Sequence, residues 1–463
     1  SSIKNQAFGA TLFASFNQSD AYDPAKNGFS AIPQFDRWTF NPRIFFEGAK
    51  SELKIGLNAI QEDRLGGYMQ YINKKNDVPA YFEQIITDRL SSQIEYIREL
   101  KSGNEIVFKN SINHYQQELK IPTYFFAGTQ TSSFSELHVL GASQKLDWVV
   151  GMNLWTEKFD QEQPDSSQIL DLKTETWGLF TQGTLLINNY WSLEGGLRID
   201  QTSDYGSFVL PRISFLYKPD ESLSLRLGGG LGYKEPSSFN DEAESIKYKN
   251  LLPLDADQLA AEESSGINFD INKSILFDSG MDLNLNLLLF YTKVDKPLRL
   301  SEVSNNQYAF LQPDGYLDTQ GFELSSVLKW DNWKYYFGYT HADVEIHQQN
   351  KISQAPLMPK ERVNNIFVYE REEDFRIGLE AYYYGEQMLT DGSKSRDFWI
   401  YGLMMEKIFK NDFSIFLNFE NFSDTRQTKF DPIYTGTKLD PIFSEIYAPL
   451  DGFVINGGFK IKL

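Results

Sequence analysis

The sequence predicts an all-β chain: one transmembrane antiparallel β-barrel of about 20 strands spanning residues 1–463. Three observations carry this. Runs of alternating apolar and polar residues recur from one end of the chain to the other, which is the period of a strand with two unlike faces. The connections between runs alternate short and long without a break in phase. The final run, Asn456–Leu463, has cleanly sorted faces, with Phe453, Ile455, Phe459, Ile461 and Leu463 on one side and Asn456, Lys460 and Lys462 on the other.

In chain order the runs are 6–17, 36–48, 51–61, 83–99, 104–119, 130–142, 146–157, 171–187, 190–202, 206–218, 222–234, 258–272, 281–293, 316–330, 333–345, 360–370, 374–387, 396–409, 412–423 and 452–462. Leu283, Leu285, Leu287 and Leu289 oppose Asp282, Asn284 and Asn286; Leu223, Leu225 and Leu227 oppose Ser224 and Arg226. Leucines placed this way face lipid and the polar set faces a lumen. Tight turns are expected at Ala49-Lys50, Asp331-Asn332, Pro219–Glu221 and Lys410-Asn411, among others. Between them lie 18–35, 62–82, 120–129, 158–170, 203–205, 235–257, 294–315, 346–359, 388–395 and 424–451, mostly much longer. Short turns on one side and long loops on the other put the short side in the periplasm.

Composition supports a barrel over the alternatives. No apolar run reaches the ~18 residues that a membrane helix needs, and mean hydropathy is −0.41. A barrel needs only alternate residues apolar, so its hydropathy averages away. The chain has 36 Phe, 25 Tyr and 8 Trp, and Trp148, Trp191, Trp330, Trp333, Phe375 and Phe409 sit beside the short turns, as an interfacial girdle would. A net charge of −19 argues against nucleic acid. With no cysteine there are no disulfides and no thiolate metal clusters. Ser1-Ser2-Ile3-Lys4 leads straight into a strand, so an exported chain is expected to begin after processing or inside a longer protein. The terminal strand fits the pattern of bacterial outer-membrane proteins, which places the chain among outer-membrane lipid and lipopolysaccharide.

Several stretches resemble the TonB-dependent outer-membrane receptors. They are Leu210–Asp220 followed by Leu223–Ser237, then Glu262–Asn268, Leu289–Lys293, Gly321–Glu323 and Glu420–Asp424, in that order along essentially the whole chain. The resemblance implies a 22-stranded barrel around an N-terminal plug. The phase of the connections then leaves the first two strands, the plug and any TonB box to a segment outside this chain or to another chain. A barrel of this size without a plug leaves a wide aqueous hole. The resemblance also implies TonB–ExbB–ExbD-driven uptake of a scarce nutrient such as a ferric siderophore, haem or cobalamin, with a surface lipoprotein as a further possible partner. The competing class is a passive porin or a structural, adhesive barrel.

Candidate sites are few. Loop 424–451 carries Arg426, Phe430, Tyr434, Phe443 and Tyr447, and Tyr384 rises toward the same surface. These suit an amphipathic ligand; the alternative is packing among the loops. His341-Ala-Asp-Val-Glu-Ile-His347 puts His341, Asp343, Glu345 and His347 on one strand face, but ligands strung along a single strand spread over ~20 Å. A solvated rim is the expectation there, not a metal site. Asp20 and Asp23 flank the turn at Gly28 without the third acid and distal Glu of a calcium loop, so an Asx-type turn is expected. The inward groups Arg198, Asp200, Arg226, Asn418 and Glu420 are expected to lack partners in the wall. No cofactor and no enzyme activity are expected: only His114, His138, His341 and His347 could act as base, and Gly-x-Ser-x-Gly is absent.

Overall fold

The structure is a computed structural model describing residues 2–4, 7–73, 79–162, 170–349, 351–409 and 413–461. It is nearly all strand. A three-residue β1 (Ser2–Lys4) is followed by β2 (Phe8–Ser19), β3 (Gln34–Glu47), β4 (Ser51–Gly67), β5 (Phe82–Glu99), β6 (Glu105–Ile121), β7 (Tyr124–Ala142) and β8 (Leu146–Glu162). Then come β9 (Leu172–Leu186), β10 (Trp191–Thr202), β11 (Ser207–Asp220), β12 (Leu223–Lys234), β13 (Glu262–Leu276) and β14 (Asp282–Asp295). The hairpin β15 (Arg299–Ser304) and β16 (Gln307–Leu311) stands in the next loop, before β17 (Gly315–Trp330), β18 (Trp333–Gln348) and the short β19 (Lys351–Gln354). The chain ends with β20 (Glu361–Arg371), β21 (Phe375–Tyr384), β22 (Phe398–Phe409), β23 (Phe413–Glu420), the small hairpin β24 (Tyr434–Gly436) and β25 (Pro441–Phe443), and β26 (Val454–Ile461). Two five-residue helices, α1 (Met69–Asn73) and α2 (Asp241–Ser245), lie in loops.

Every expected run is a strand, and sequence neighbours are sheet neighbours. From β2 to β14, and on through β17, β18, β20, β21, β22, β23 and β26, each strand pairs antiparallel with the next. The pieces not foreseen are all small. β1 pairs on the free edge of β2, β19 continues the ladder on β18 above β20, and two hairpins stand in loops.

Register sorts the two faces. Met152 lies opposite Leu179, Leu179 opposite Ile199, and Ile199 opposite Val209; the same face continues through Phe215, Leu227, Phe269, Leu289 and Phe322, and then through Phe367, Leu379 and Ile415 to Phe459. Leu179 is 60% exposed and Phe459 70%. An apolar band this continuous is a lipid-facing surface. All seven leucines named above lie on it. On the opposite face Asn284 bonds Asn272 and Ser274, and Asn286 bonds Asp270, so the polar set lines the interior as expected.

One connection differs. Residues 120–129 were expected to be a long loop, yet β6 and β7 run on to leave only Pro122 and Thr123 between them. Alternation breaks at Phe125-Phe126-Ala127 because the upper inner face is itself buried. The turn at Lys410-Asn411 and the last two residues, Lys462 and Leu463, lie outside the described residues.

The sheet curls until its two ends meet at the rim. In the loop after β23, Tyr434 donates its hydroxyl to the Asn27 carbonyl (3.2 Å), and Lys438 accepts the Tyr81 N–H (2.9 Å). These contacts cross from the C-terminal strands to loops of the N-terminal ones. Among the described residues no ladder pairing joins β26 to β1 or β2.

Candidate functional site

The mouth is built from two unlike halves. On one side β5 to β8 are 17–19 residues long, against 8–12 for β20 to β23. Some seven extra residues raise that wall by roughly 20 Å along the strand. Its upper inner face is apolar. Leu119, Phe126 and Phe159 bury against Ala243 and Leu251 of loop 235–257, Leu170, and Phe310 of the β15–β16 hairpin. A Cβ at Gly128 would overlap the Phe159 ring, so only glycine lets that ring lie flat on β7. Asn240 caps α2 by accepting the Ala243 N–H (3.0 Å), and Glu242 accepts the Leu300 N–H (2.6 Å), tying loop to hairpin. Burial pushes the Tyr248 phenol up to about 12.

The low side is roofed by a strap, residues 421–453, held mainly by hydrogen bonds. Its centre is Gln427, 1% exposed. The Gln427 side chain donates to the Glu445 carbonyl (2.7 Å) and accepts from the N–H groups of Tyr447 (2.8 Å) and Ala448 (3.2 Å). Gln387 donates to the Tyr447 carbonyl (3.2 Å), and Thr390 N–H to Glu445 (2.8 Å), fixing the strap to loop 385–397. Asp424 binds Lys429 (2.7 Å) and Arg426 (3.0 Å) and accepts the Phe453 N–H (3.2 Å). Chiefly through Lys429, its carboxyl is held below the ordinary range. Gly452, at φ +70°, lets the chain pass Asp424 and Arg426 where a Cβ would collide with both.

The sequence candidates divide between these contacts. Tyr434 and Phe443 pack edge-on against Phe29 in a cluster with Tyr68 and Tyr81, and this cluster closes the seam. Tyr384, Phe430 and Tyr447 pack around Phe398 and Ala448. Burial beside Asp431, which accepts its hydroxyl, pushes Tyr447 up to about 12. Arg426 differs from the rest. Its side chain is 14% exposed, yet Nε and Nη1 are buried without a partner. Gln427, Gln387 and Phe29 escaped sequence reading, because neutral amides and a lone Phe carry no motif.

Asp23 takes the Asn27 and Gly28 N–H groups (3.3 and 2.7 Å), four and five residues on, and the Asx-type bond two residues on is made instead by Asn27, which accepts the Phe29 N–H (2.9 Å). Among the described residues no side-chain hydrogen bond joins Asp20 to Asp23. Along β18, His341 lies 3.9 Å from Glu361, and Asp343 bonds Lys360 (2.9 Å), so those two point to separate partners.

The interior wall corrects one expectation. Arg198 donates to Asp200 (2.8 Å) and Asn153 (3.1 Å), and Tyr233 donates to Asp200 (3.1 Å). Asn418 donates to Asn456 (3.0 Å), which in turn donates to Glu420. Long polar side chains on neighbouring strands reach one another, so the wall largely satisfies itself. Only Arg226 has no bonded side-chain partner among the described residues, while single atoms, Asp200 Oδ1 and Asn418 Oδ1, remain unpaired. Nearer the short turns, Lys334, Glu370, Arg376, Glu406 and Lys460 form one continuous charge network on the inner face.

A curled antiparallel sheet with an apolar outside, a polar inside, short turns below and packed loops above defines an outer-membrane-type β-barrel. The sequence matches the TonB-dependent receptor-like β-barrel family over residues 4–422, and the chain belongs to that family. Barrels of this family are outer-membrane proteins of Gram-negative bacteria. Similar solved structures include the siderophore receptor PirA from Acinetobacter baumannii, 14% identical, covering 91% of this chain and 72% of that one with a TM-score of 0.70. The ferric-catecholate import receptor Fiu from E. coli is 12% identical over 91% and 74% of the two chains, with a TM-score of 0.68. The copper transporter OprC is 12% identical over 98% and 76%, with a TM-score of 0.75. At these identities the likeness is one of fold. Comparison with curated protein sequences finds no match.

Proposed function

We propose that this barrel belongs to an energy-coupled importer that captures a ferric siderophore or a similar anionic, partly aromatic chelate at its extracellular mouth. The observation carrying this reading is Arg426. A guanidinium held within the strap with two unpartnered donors is costly unless a ligand completes it. Phe430, itself under the Arg396 guanidinium at 5.8 Å, supplies an aromatic neighbour. The neighbours described as a siderophore receptor and a ferric-catecholate import receptor support the substrate class. Haem and cobalamin remain the competing cargoes. A plug segment is proposed to fill the lumen against the wall network and to couple release to TonB–ExbB–ExbD, with further strands completing the barrel between β26 and β2.

The test is uptake of radiolabelled ferric siderophores by cells carrying the intact native assembly, with and without TonB. Uptake should require TonB, and Arg426→Gln should raise the half-saturating concentration about tenfold, the equivalent of ~1.4 kcal/mol. Uptake indifferent to TonB, or a native assembly conducting ions as an open pore, replaces the importer with a porin. TonB-dependent uptake untouched by Arg426→Gln keeps the importer and discards this site.

A further inference from the structure

Outside the barrel, above the apolar band, the antiparallel register of β17 and β18 gathers three metal-ligating side chains that no sequence run contains. Asp318 lies directly across from Glu345, and His347 follows Glu345 by two residues on the same face. His347 Nε2 is 3.0 Å from Asp318 Oδ1 and 3.6 Å from Glu345 Oε2, and the three ligand atoms all lie within 4.8 Å of one another. We propose that Asp318, Glu345 and His347 form a binding site for one divalent transition-metal ion, of the zinc or cobalt kind, on the outer wall of the barrel.

Geometry favours the site. A lone strand spreads alternate side chains over ~7 Å steps, but a cross-strand partner sits within ~5.5 Å, so Asp318 closes the distance that residues 341–347 alone cannot. Tyr316 stacks on the His347 imidazole, with centroids 4.2 Å apart and an interplanar angle of 13°, fixing the ring with Nε2 toward the carboxylates. All three ligands are half-buried, with side chains 17–29% exposed, so little of their freedom remains to be lost.

Charge favours it too. With a neutral imidazole the group carries two negative charges. Among the described residues His347 is the only basic side chain within ion-pair distance of either carboxylate. Lys293, directly across the ladder from Asp318, has its ammonium engaged by Asp295 (2.7 Å) and lying over the Tyr316 ring at 4.5 Å. One imidazole nitrogen among carboxylate oxygens selects a borderline transition metal over calcium or magnesium, and the remaining coordination is left to water. The site is separate from the mouth and does not depend on the importer reading. Bound metal would cross-link β17 to β18 at their extracellular ends.

The experiment uses the protein purified in detergent without a histidine tag, stripped with chelator and titrated with Co²⁺ by calorimetry and visible absorption. One equivalent should bind with a d–d spectrum. His347→Gln and Asp318→Asn should each weaken binding about tenfold or more, ~1.4 kcal/mol per decade, while His341→Ala on the same strand face leaves it unchanged. Heat-modifiable migration on gels checks that each variant keeps its barrel. The proposal is overturned if wild-type protein binds no stoichiometric Co²⁺, if Ca²⁺ competes as well as Zn²⁺, or if binding weakens with His341→Ala and not with His347→Gln.

Discussion

The tall wall and the strap hold loops over the same mouth by opposite means. At the wall, Phe126 is 2% exposed and Leu251 2%, in a cluster of aliphatic and aromatic side chains. At the strap, the most buried side chain is the amide of Gln427, and three backbone groups depend on it. Apolar packing tolerates small shifts and loses free energy in proportion to the area exposed. A buried amide network holds one geometry and fails when one member is removed. The wall therefore loses its hold gradually, while the strap holds only as long as its amide network is whole.

The largest effect should come from the wall. Phe126→Ala removes a ring from the centre of the cluster and should cost about 3–5 kcal/mol of local packing. Hydrogen exchange would then rise across 239–254 and 299–311 while 427–448 stays protected. Equal exposure of both regions would show that wall and strap are one unit.

Next comes the band beneath both. Lys at Leu285, on the lipid face of β14, should cost about 2–4 kcal/mol near the midplane. Urea unfolding in lipid vesicles measures it. The loss should fall on the whole barrel and not on either half of the mouth, and a variant as stable as the parent would mean the face is misassigned.

Gln427→Ala should open the strap alone. It strands the Tyr447 and Ala448 N–H groups and the Glu445 carbonyl, at about 1–3 kcal/mol for each group left buried and unsatisfied. Limited proteolysis should cut within 427–448 while 239–254 resists. Protection of the strap in this variant would shift its support to the Phe398–Tyr447–Ala448 packing.

What was legible in the sequence follows from range. Strands, faces and connection phase are written every two residues, so Leu283–Leu289 and Trp330–Trp333 could be read directly. The exception, 120–129, arose because Leu119 and Phe126 bury on the inner face, where the alternation rule expects polar residues. The site was only half legible. Arg426, Phe430 and Tyr447 announced themselves by type, but Gln427 is central only because residues eighteen to twenty-one positions away fold back onto it. The pairing of Asp318 with His347, 29 positions apart, needed the register, and the bond from Arg198 to Asn153 needed β8 beside β9 and β9 beside β10.

The smallest effect is a dependence on pH that only the strap should show. Asp424 in the folded strap titrates below its ordinary value of 3.8, first through its bond with Lys429. Its stabilisation is therefore complete above that ordinary value and is lost as pH falls through the lower folded one. Between neutrality and about pH 5 nothing should change; at more acid pH the contacts to Lys429, Arg426 and the Phe453 N–H weaken together. The side chain is 37% exposed, so solvent screening keeps the effect small. The wall cluster of Leu119, Phe126, Phe159 and Leu251 is held by apolar and aromatic packing, Tyr248 among its neighbours, and should hold. Exchange of 424–431 measured against that of 119–126, corrected for intrinsic rates, from pH 6 down to 3 reads the difference. Asp424→Asn should bring the acid behaviour to neutral pH. If the two regions loosen together, or the Asn variant keeps a pH response of the original size, Asp424 is not the group that ties the strap down.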